Sequence, residues 1–417
     1  MRHNQKYNKN GKSMKKKFIY LCAVICSMSL FTACSDDDDK QNIPDSETTF
    51  TTEGGLLLTV DGNPMVGKVA TYNPANATIT LSGEPIDLAA LIGGGKADQG
   101  INAVMTSGVI PGSPEVTIPV DIKNGEFSGS FEADYCTFNY AGDLSKNTLQ
   151  LAISNVELKN KTLSNTSWTL STIERDDWGD TISGVADPLR LVWETDKNFQ
   201  MELFPGFSMD MPIATIIGIA AQMPLVPVSA TETLGVQEAL PMLLQQVTFE
   251  ADGNIRAKYV DIANGATAPV ESPVNLAQYV VKDNNTILVF LNIQNMIYVT
   301  EQNARAAGDS SIDMSAIMQL LSDYLPYLRN GIPLEYSMLN SETMSVYLNT
   351  QFLKPIVLAG AAILESPEIQ EMIKNAIENS EDMADYAGML SMLLPQAPEV
   401  LGSTKTIEIG INLTKQN

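Results

Sequence analysis

Val116-Thr117-Ile118-Pro119-Val120-Asp121-Ile122 and Phe127-Ser128-Gly129-Ser130-Phe131 alternate apolar and polar residues on either side of Lys123-Asn124-Gly125. A period of two marks a strand with one buried face, because successive side chains point to opposite sides. Asn and Gly both tolerate positive φ, so Asn124-Gly125 predicts a tight hairpin turn. Pro119 has no amide hydrogen, which places its strand at an edge or a bulge. Working outward, Leu56–Val60 runs into the turn signal Asp61-Gly62-Asn63, and Thr78–Leu81, Leu149–Ile153 and Val156–Leu158 follow. Residues 50–160 therefore predict an all-β domain, an antiparallel sandwich or barrel.

Residues 161–417 mix the two periods. Strands are predicted at Trp168–Ile173, Leu189–Glu194, Phe199–Phe204, Val247–Glu250, Ile255–Val260, Tyr279–Val281, Thr286–Ile293, Leu334–Met338, Met344–Leu348 and Ile407–Leu413. Compact turns at 195–198, 251–254 and 282–285 join three pairs of them, which predicts a meander of antiparallel hairpins. Helical spacing appears at Ile317, Leu320, Leu321, Tyr324 and Leu328, at Ile369, Met372, Ile373, Ala376 and Ile377, and at Met383, Tyr386, Leu390 and Leu394. Ser366-Pro367-Glu368 supplies an N-cap, a first-turn proline and an acid at the positive end of the helix dipole. Met211–Val228 is almost wholly apolar, but Pro212, Pro224 and Pro227 limit it to a helical turn or buried loop. The fold class is mainly β, α+β overall, with helical insertions in the second half.

The N-terminus carries an address. Lys15-Lys16-Lys17 precedes an apolar run, Phe18–Phe31, which is shorter than the roughly 20 residues of a bilayer span. Leu30-Phe31-Thr32-Ala33-Cys34 follows, and then Asp36, Asp37, Asp38 and Asp39. A basic region, an apolar region and a small residue read as a signal peptide over residues 1–33, cut before Cys34. Met14-Lys15-Lys16-Lys17 is itself a complete basic start, so Met14 is a candidate first residue. Residues 34–49 are almost wholly polar or small, with Ile43 the exception, and predict a disordered tether.

Cleavage acts as a chemical filter. It removes seven Lys and Arg and no acid, taking the formal charge from −23 to −30. So acidic a surface repels phosphate backbones and argues against nucleic-acid partners. His3, the one histidine, also leaves, with Cys22 and Cys26. Histidine-dependent triads and the usual zinc sites go with them, and no cofactor is implied. Cys136 is the one thiol left once Cys34 is modified. It sits in the alternating run Tyr135–Tyr140 and reads as a small buried hydrophobe.

Three constellations are candidates for function. Glu174, Asp176, Asp177, Trp178 and Asp180 crowd one loop, offering oxygen ligands for calcium or an indole face and carboxylates for a sugar. The alternative is a solvated acidic loop. Thirteen methionines from Met209 to Met392 enrich the helical half and suit an adaptable apolar cavity or plain core packing. Glu378, Glu381, Asp382 and Asp385 form a charged helix face, from which a glycosidase carboxylate pair would have to be drawn.

Resemblances to known families add to this. Leu30–Cys34 resembles the bacterial lipobox, which implies that Cys34 is lipidated and anchors the chain. Cys34 with Asp36–Asp39 resembles the export signal of Bacteroidetes surface lipoproteins, which implies the outer face of the outer membrane. The whole chain is similar to a family of such lipoproteins of about this length, a likeness that implies an address and no activity. A Trp-bearing first strand, hairpins and a closing strand look like a calycin or lipocalin-like barrel, although Thr166 stands where Gly-x-Trp would need glycine. Gly55–Gly62 similarly resembles calycin-like lipoprotein domains. The expected function is a lipid-anchored surface protein that binds a hydrophobic molecule or a glycan without catalysis. A structural subunit of a surface assembly and a carboxylate glycosidase are the alternatives.

Overall fold

The Asn124-Gly125 turn forms as its sequence demands, yet its two arms belong to different sheets. Both residues have positive φ, 52° and 86°, and Lys123 faces Glu126 in an antiparallel bridge. Beyond that bridge the arms part. In the computed structural model, which describes residues 43–86, 104–172, 187–204, 206–224, 226–228, 232–262, 268–296, 324–378 and 387–416, the turn is a corner between two layers.

The first stretch supplies β1 (Thr48–Thr51), β2 (Leu56–Val60), β3 (Asn63–Pro64), β4 (Lys68–Asn73), β5 (Thr78–Gly83), β6 (Pro85–Ile86), β7 (Val104–Met105), β8 (Glu115–Pro119), β9 (Glu126–Glu132), β10 (Cys136–Leu144) and β11 (Leu149–Leu158). One sheet has the order β1-β4-β5-β8 and the other β3-β2-β11-β10-β9. Pro119 ends β8, an edge strand, where its missing amide costs no ladder bond. Val116 and Ile118 on one sheet and Phe127, Phe138 and Tyr140 on the other share one buried core. The Tyr140 hydroxyl donates to the Pro119 carbonyl at 2.5 Å and ties the layers together. Of the sandwich and barrel alternatives the open one is found. The expected antiparallel rule has one exception: β2 runs parallel to β11. No hairpin joins those two strands, so nothing in the local chain sets their relative direction.

The second stretch supplies β12 (Thr166–Leu170), β13 (Leu189–Thr195), β14 (Phe199–Phe204), β15 (Phe207–Met211), α1 (Ile213–Gln222), β16 (Val226–Pro227), β17 (Thr233–Leu234), α2 (Val236–Leu243), β18 (Leu244–Phe249), β19 (Ile255–Tyr259), β20 (Val270–Glu271), β21 (Ala277–Val281), β22 (Thr286–Leu291), α3 (Leu325–Asn330), β23 (Ile332–Met338), β24 (Thr343–Leu348), α4 (Thr350–Leu364), α5 (Pro367–Glu378), α6 (Ala387–Leu393), α7 (Ala397–Gly402) and β25 (Thr404–Lys415). A ten-stranded sheet runs β20-β19-β18-β12-β25-β24-β23-β22-β21, with β13 also on β25. The expected barrel is not closed. Its ends meet at one antiparallel bridge, Asn254 with Gln278, because β20 takes the rest of the edge of β19. Asn254 holds that seam: its Oδ1 accepts from the Asn275 amide at 2.8 Å, and the Tyr279 amide reaches Gly253 O at 2.7 Å.

The turns at 251–254 and 282–285 join true hairpins, β18–β19 and β21–β22. The turn at 195–198 does not. β13 pairs with β25, and β14 folds back on β15 instead. β25 is long enough to take β12 at its C-terminal end and β13 along the rest of the same edge. Ser366 caps α5 as predicted, its Oγ 3.4 Å from the Ile369 amide. Helix α1 occupies the proline-bounded segment and ends before Pro224.

Residues Ile43–Asn417 make one compact unit. Its main core runs from Phe50 to Leu413, and a satellite core gathers Phe199, Met211, Ile213, Leu393 and Val400 under α6 and α7. Cys136 lies fully buried in the main core, and burial pushes its thiol up to about 12. That is the inert hydrophobe its alternating run predicted.

Candidate functional site

A half-open apolar slot of about 350 Å³ lies between the sheet and the first two helices. Leu189, Leu191 and Trp193 of β13 share one face of their strand, by the two-residue period, and Ile409 stands opposite Leu191 on β25. Ile217, Ala220 and Ala221 of α1 form one wall, and Val236 and Gln237 of α2 another.

The walls follow from sequence. From Met211 to Ala230 the chain carries no charged residue, so α1 can lay Ile217 and Ala221 over the sheet at helical spacing. Gly235 precedes α2 and lets it approach, since a Cβ there would fall 2.8 Å from Ala221 O and 2.9 Å from Gln222 Cα. Trp193 is fixed by its indole N–H, which donates to Thr404 Oγ1 at 3.1 Å, and it packs on the satellite core.

Among the described residues Arg190 is the one charged residue lining the slot, and its charge is spent elsewhere. Its guanidinium lies 4.2 Å over the Tyr347 ring, and Nε donates to Glu408 Oε2 at 3.1 Å. Arg190 and Tyr347 both pair with Gly410, so the side chain crosses over that glycine.

A second concave surface is polar. Ser167, Gln246, Thr248, Glu250, Arg256 and Glu271 line a groove of about 260 Å³, where Arg256 pairs with Glu271 at 2.7 Å. Burial, then Asp252 nearby, raises the pKa of Glu250, against the opposing pull of Arg256. At the tip of the β14–β15 hairpin, Phe204 and Phe207 stack with ring centres 4.8 Å apart and are largely exposed.

Of the residues singled out from sequence, Cys34, Asp36, Asp37, Asp38 and Asp39 lie outside the described residues, as do Glu174, Asp176, Asp177, Trp178 and Asp180. So do Glu381, Asp382 and Asp385. Met314, Met318 and Met383 lie outside the described residues, and among the described residues no methionine lines the slot. Met344 is in the main core, Met211 and Met389 in the satellite core, and Met209, Met242, Met338, Met372 and Met392 are exposed. The slot is built mainly from isoleucine, valine, leucine and alanine side chains, with Trp193 and Gln237. Its signal in the sequence was the uncharged run through α1 beside the alternating Leu189-x-Leu191-x-Trp193. Among the described residues no three His, Cys, Asp or Glu side chains form a metal-binding group, and no helix is long and apolar enough to cross a membrane. Compared with protein-family models, curated proteins and solved structures, the chain matches none.

Proposed function

We propose that this protein is a lipid-anchored surface protein that binds a hydrophobic small molecule in the slot between β13, β25, α1 and α2. The slot carries the reading. Its volume falls at the lower end of the roughly 300–1,000 Å³ typical of ligand sites, and its lining is apolar with one indole. A sugar would need several convergent hydrogen-bonding groups. The slot offers Gln237, while the Trp193 N–H is already used.

Nile red, an uncharged dye, tests the site. It is expected to bind saturably to the wild-type chain. Ala220 lines the slot yet is exposed, so Ala220→Trp should plug the site without disturbing the core. We expect at least a tenfold loss of dye affinity, about 1.4 kcal/mol, at an unchanged unfolding midpoint. Equal affinity in the two proteins would remove the slot as the binding site.

The anchor rests on Leu30–Cys34 and the aspartates that follow. In a Gram-negative host, an alkyne-tagged fatty acid should label the wild-type chain and not Cys34→Ala. Equal labelling of both would refute lipidation at that residue. An acyl-cysteine with several chains anchors stably, at ~0.8 kcal/mol for each buried methylene.

A further inference from the structure

We infer that the ligand of the slot is an uncharged single-chain amphiphile, such as a long-chain alcohol or a monoacylglycerol, and not a fatty-acid anion. The inference rests on the binding reading above and narrows its ligand class.

Charge carries the argument. A carboxylate or phosphate head gains nothing from an apolar site unless a cation or several N–H donors meet it, and any part of it drawn out of water costs desolvation free energy. Among the described residues Arg190 is the one cation that borders the slot, and Glu408 neutralises it. The two side chains are about three-quarters buried, at 26 % and 22 % exposure, so the pair is shielded from solvent screening. The Tyr347 ring takes the guanidinium face as well. By the alternation that puts Leu189, Leu191 and Trp193 in the slot, Arg190 and Glu408 lie on the other face of the sheet, so an anion in the slot would not meet the guanidinium. The formal charge of the whole chain, −23, adds long-range repulsion. Neither wall helix contributes a basic residue: α1 has no ionisable side chain, and α2 has Glu238 alone. Gln237 remains as a neutral partner that can both donate to and accept from a hydroxyl.

Size limits the rest. A slot of about 350 Å³ suits one chain and leaves no room for a two-chain lipid. Its open side lets the polar end of the ligand stay in water.

The test is displacement of Nile red at pH 8 by 1-dodecanol and by dodecanoate, below their aggregation limits. Dodecanol is expected to displace the dye at a concentration at least tenfold lower. Dodecanoate working as well or better would overturn the inference while leaving the binding reading intact, because the dye still occupies the slot. Dye displaced by neither compound would also overturn it. No saturable dye binding at all would sink the reading and the inference together. Arg190→Met supplies a second readout. Because Arg190 is already occupied, the alcohol-to-carboxylate ratio should hold within about twofold. A tenfold fall in dodecanoate affinity alone would make Arg190 the headgroup partner and refute the neutral-ligand assignment.

Discussion

Raising the pH from 7.5 to 9 should stabilise the wild-type protein relative to Lys68→Met by about 2 kcal/mol, following the ~1.4 kcal/mol carried by each unit of pKa difference. Lys68 on β4 is fully buried, and its Nζ donates to Ser107 O at 2.8 Å, with Ser107 Oγ at 3.4 Å. Among the described residues no carboxylate pairs with it. Burial alone drives its pKa from 10.5 down to about 7. Between those values the unfolded chain holds a proton that the folded chain has shed, so stability rises with pH across that window. Below pH 7 both states are protonated and the folded protein carries the full cost of a buried ammonium. Several buried or half-buried acidic groups oppose the trend in alkali, Cys136 and Tyr279 foremost among them. Burial pushes Cys136 up to about 12 and raises Tyr279 further, so their unfolded forms ionise first and lower stability above about pH 9. Subtracting the Lys68→Met curve cancels them. The measurement is urea unfolding at several pH values, and parallel curves for the two proteins would dispose of the buried neutral lysine.

Gly410→Ala should cost about 4 kcal/mol or more, among the largest effects expected of a single substitution. Gly410 lies inside β25, paired with Tyr347 on one side and Arg190 on the other. A Cβ there would fall 2.1 Å from Val346 O and 2.4 Å from Tyr347 Cβ. The nearest atoms belong to backbone and to a Cβ, so relief requires β24 to part from β25. That break lies at the junction of the ten-stranded sheet with β13, so dye binding in the slot should be lost as well. Gly360→Ala is the control. It lies in α4 with nothing within 4 Å of its would-be Cβ, and should stabilise by ~0.5–1 kcal/mol through helix propensity. A Gly410→Ala protein within 1 kcal/mol of wild type in its urea midpoint would show that the sheet tolerates the extra carbon.

The contrast between these two glycines shows how far sequence reading reaches. Ile407–Leu413 alternates and was legible as a strand, because alternation is a local property. That its glycine sits under two neighbouring strands was not legible, because neighbours in a sheet come from anywhere in the chain. The turn at 195–198 makes the same point. It forms a turn, but the strands it joins go to different partners, β25 and β15. The methionines left cavity and core packing undecided for a related reason. Met fills core and surface positions alike, so its number in the sequence says nothing of where it is used. The slot was half visible, in an uncharged α1 and an alternating β13, but its floor needs Ile409, more than two hundred residues further on.

By itself the sequence determined the mainly β class, most strands to within a few residues, the Asn124-Gly125 turn, the cap on α5 and the inert state of Cys136. All of these depend on residues within a few positions of one another, where φ preference, side-chain period and local hydrogen bonds decide. Only the tertiary structure decided that the Asn124-Gly125 turn is a corner between sheets, that β2 runs parallel to β11 and that the large sheet stays open at the Asn254–Gln278 seam. It also decided that Lys68 loses its water and that Arg190 meets Glu408. Strand pairing and desolvation are set by which surfaces are buried together, and that is a property of the whole packed chain.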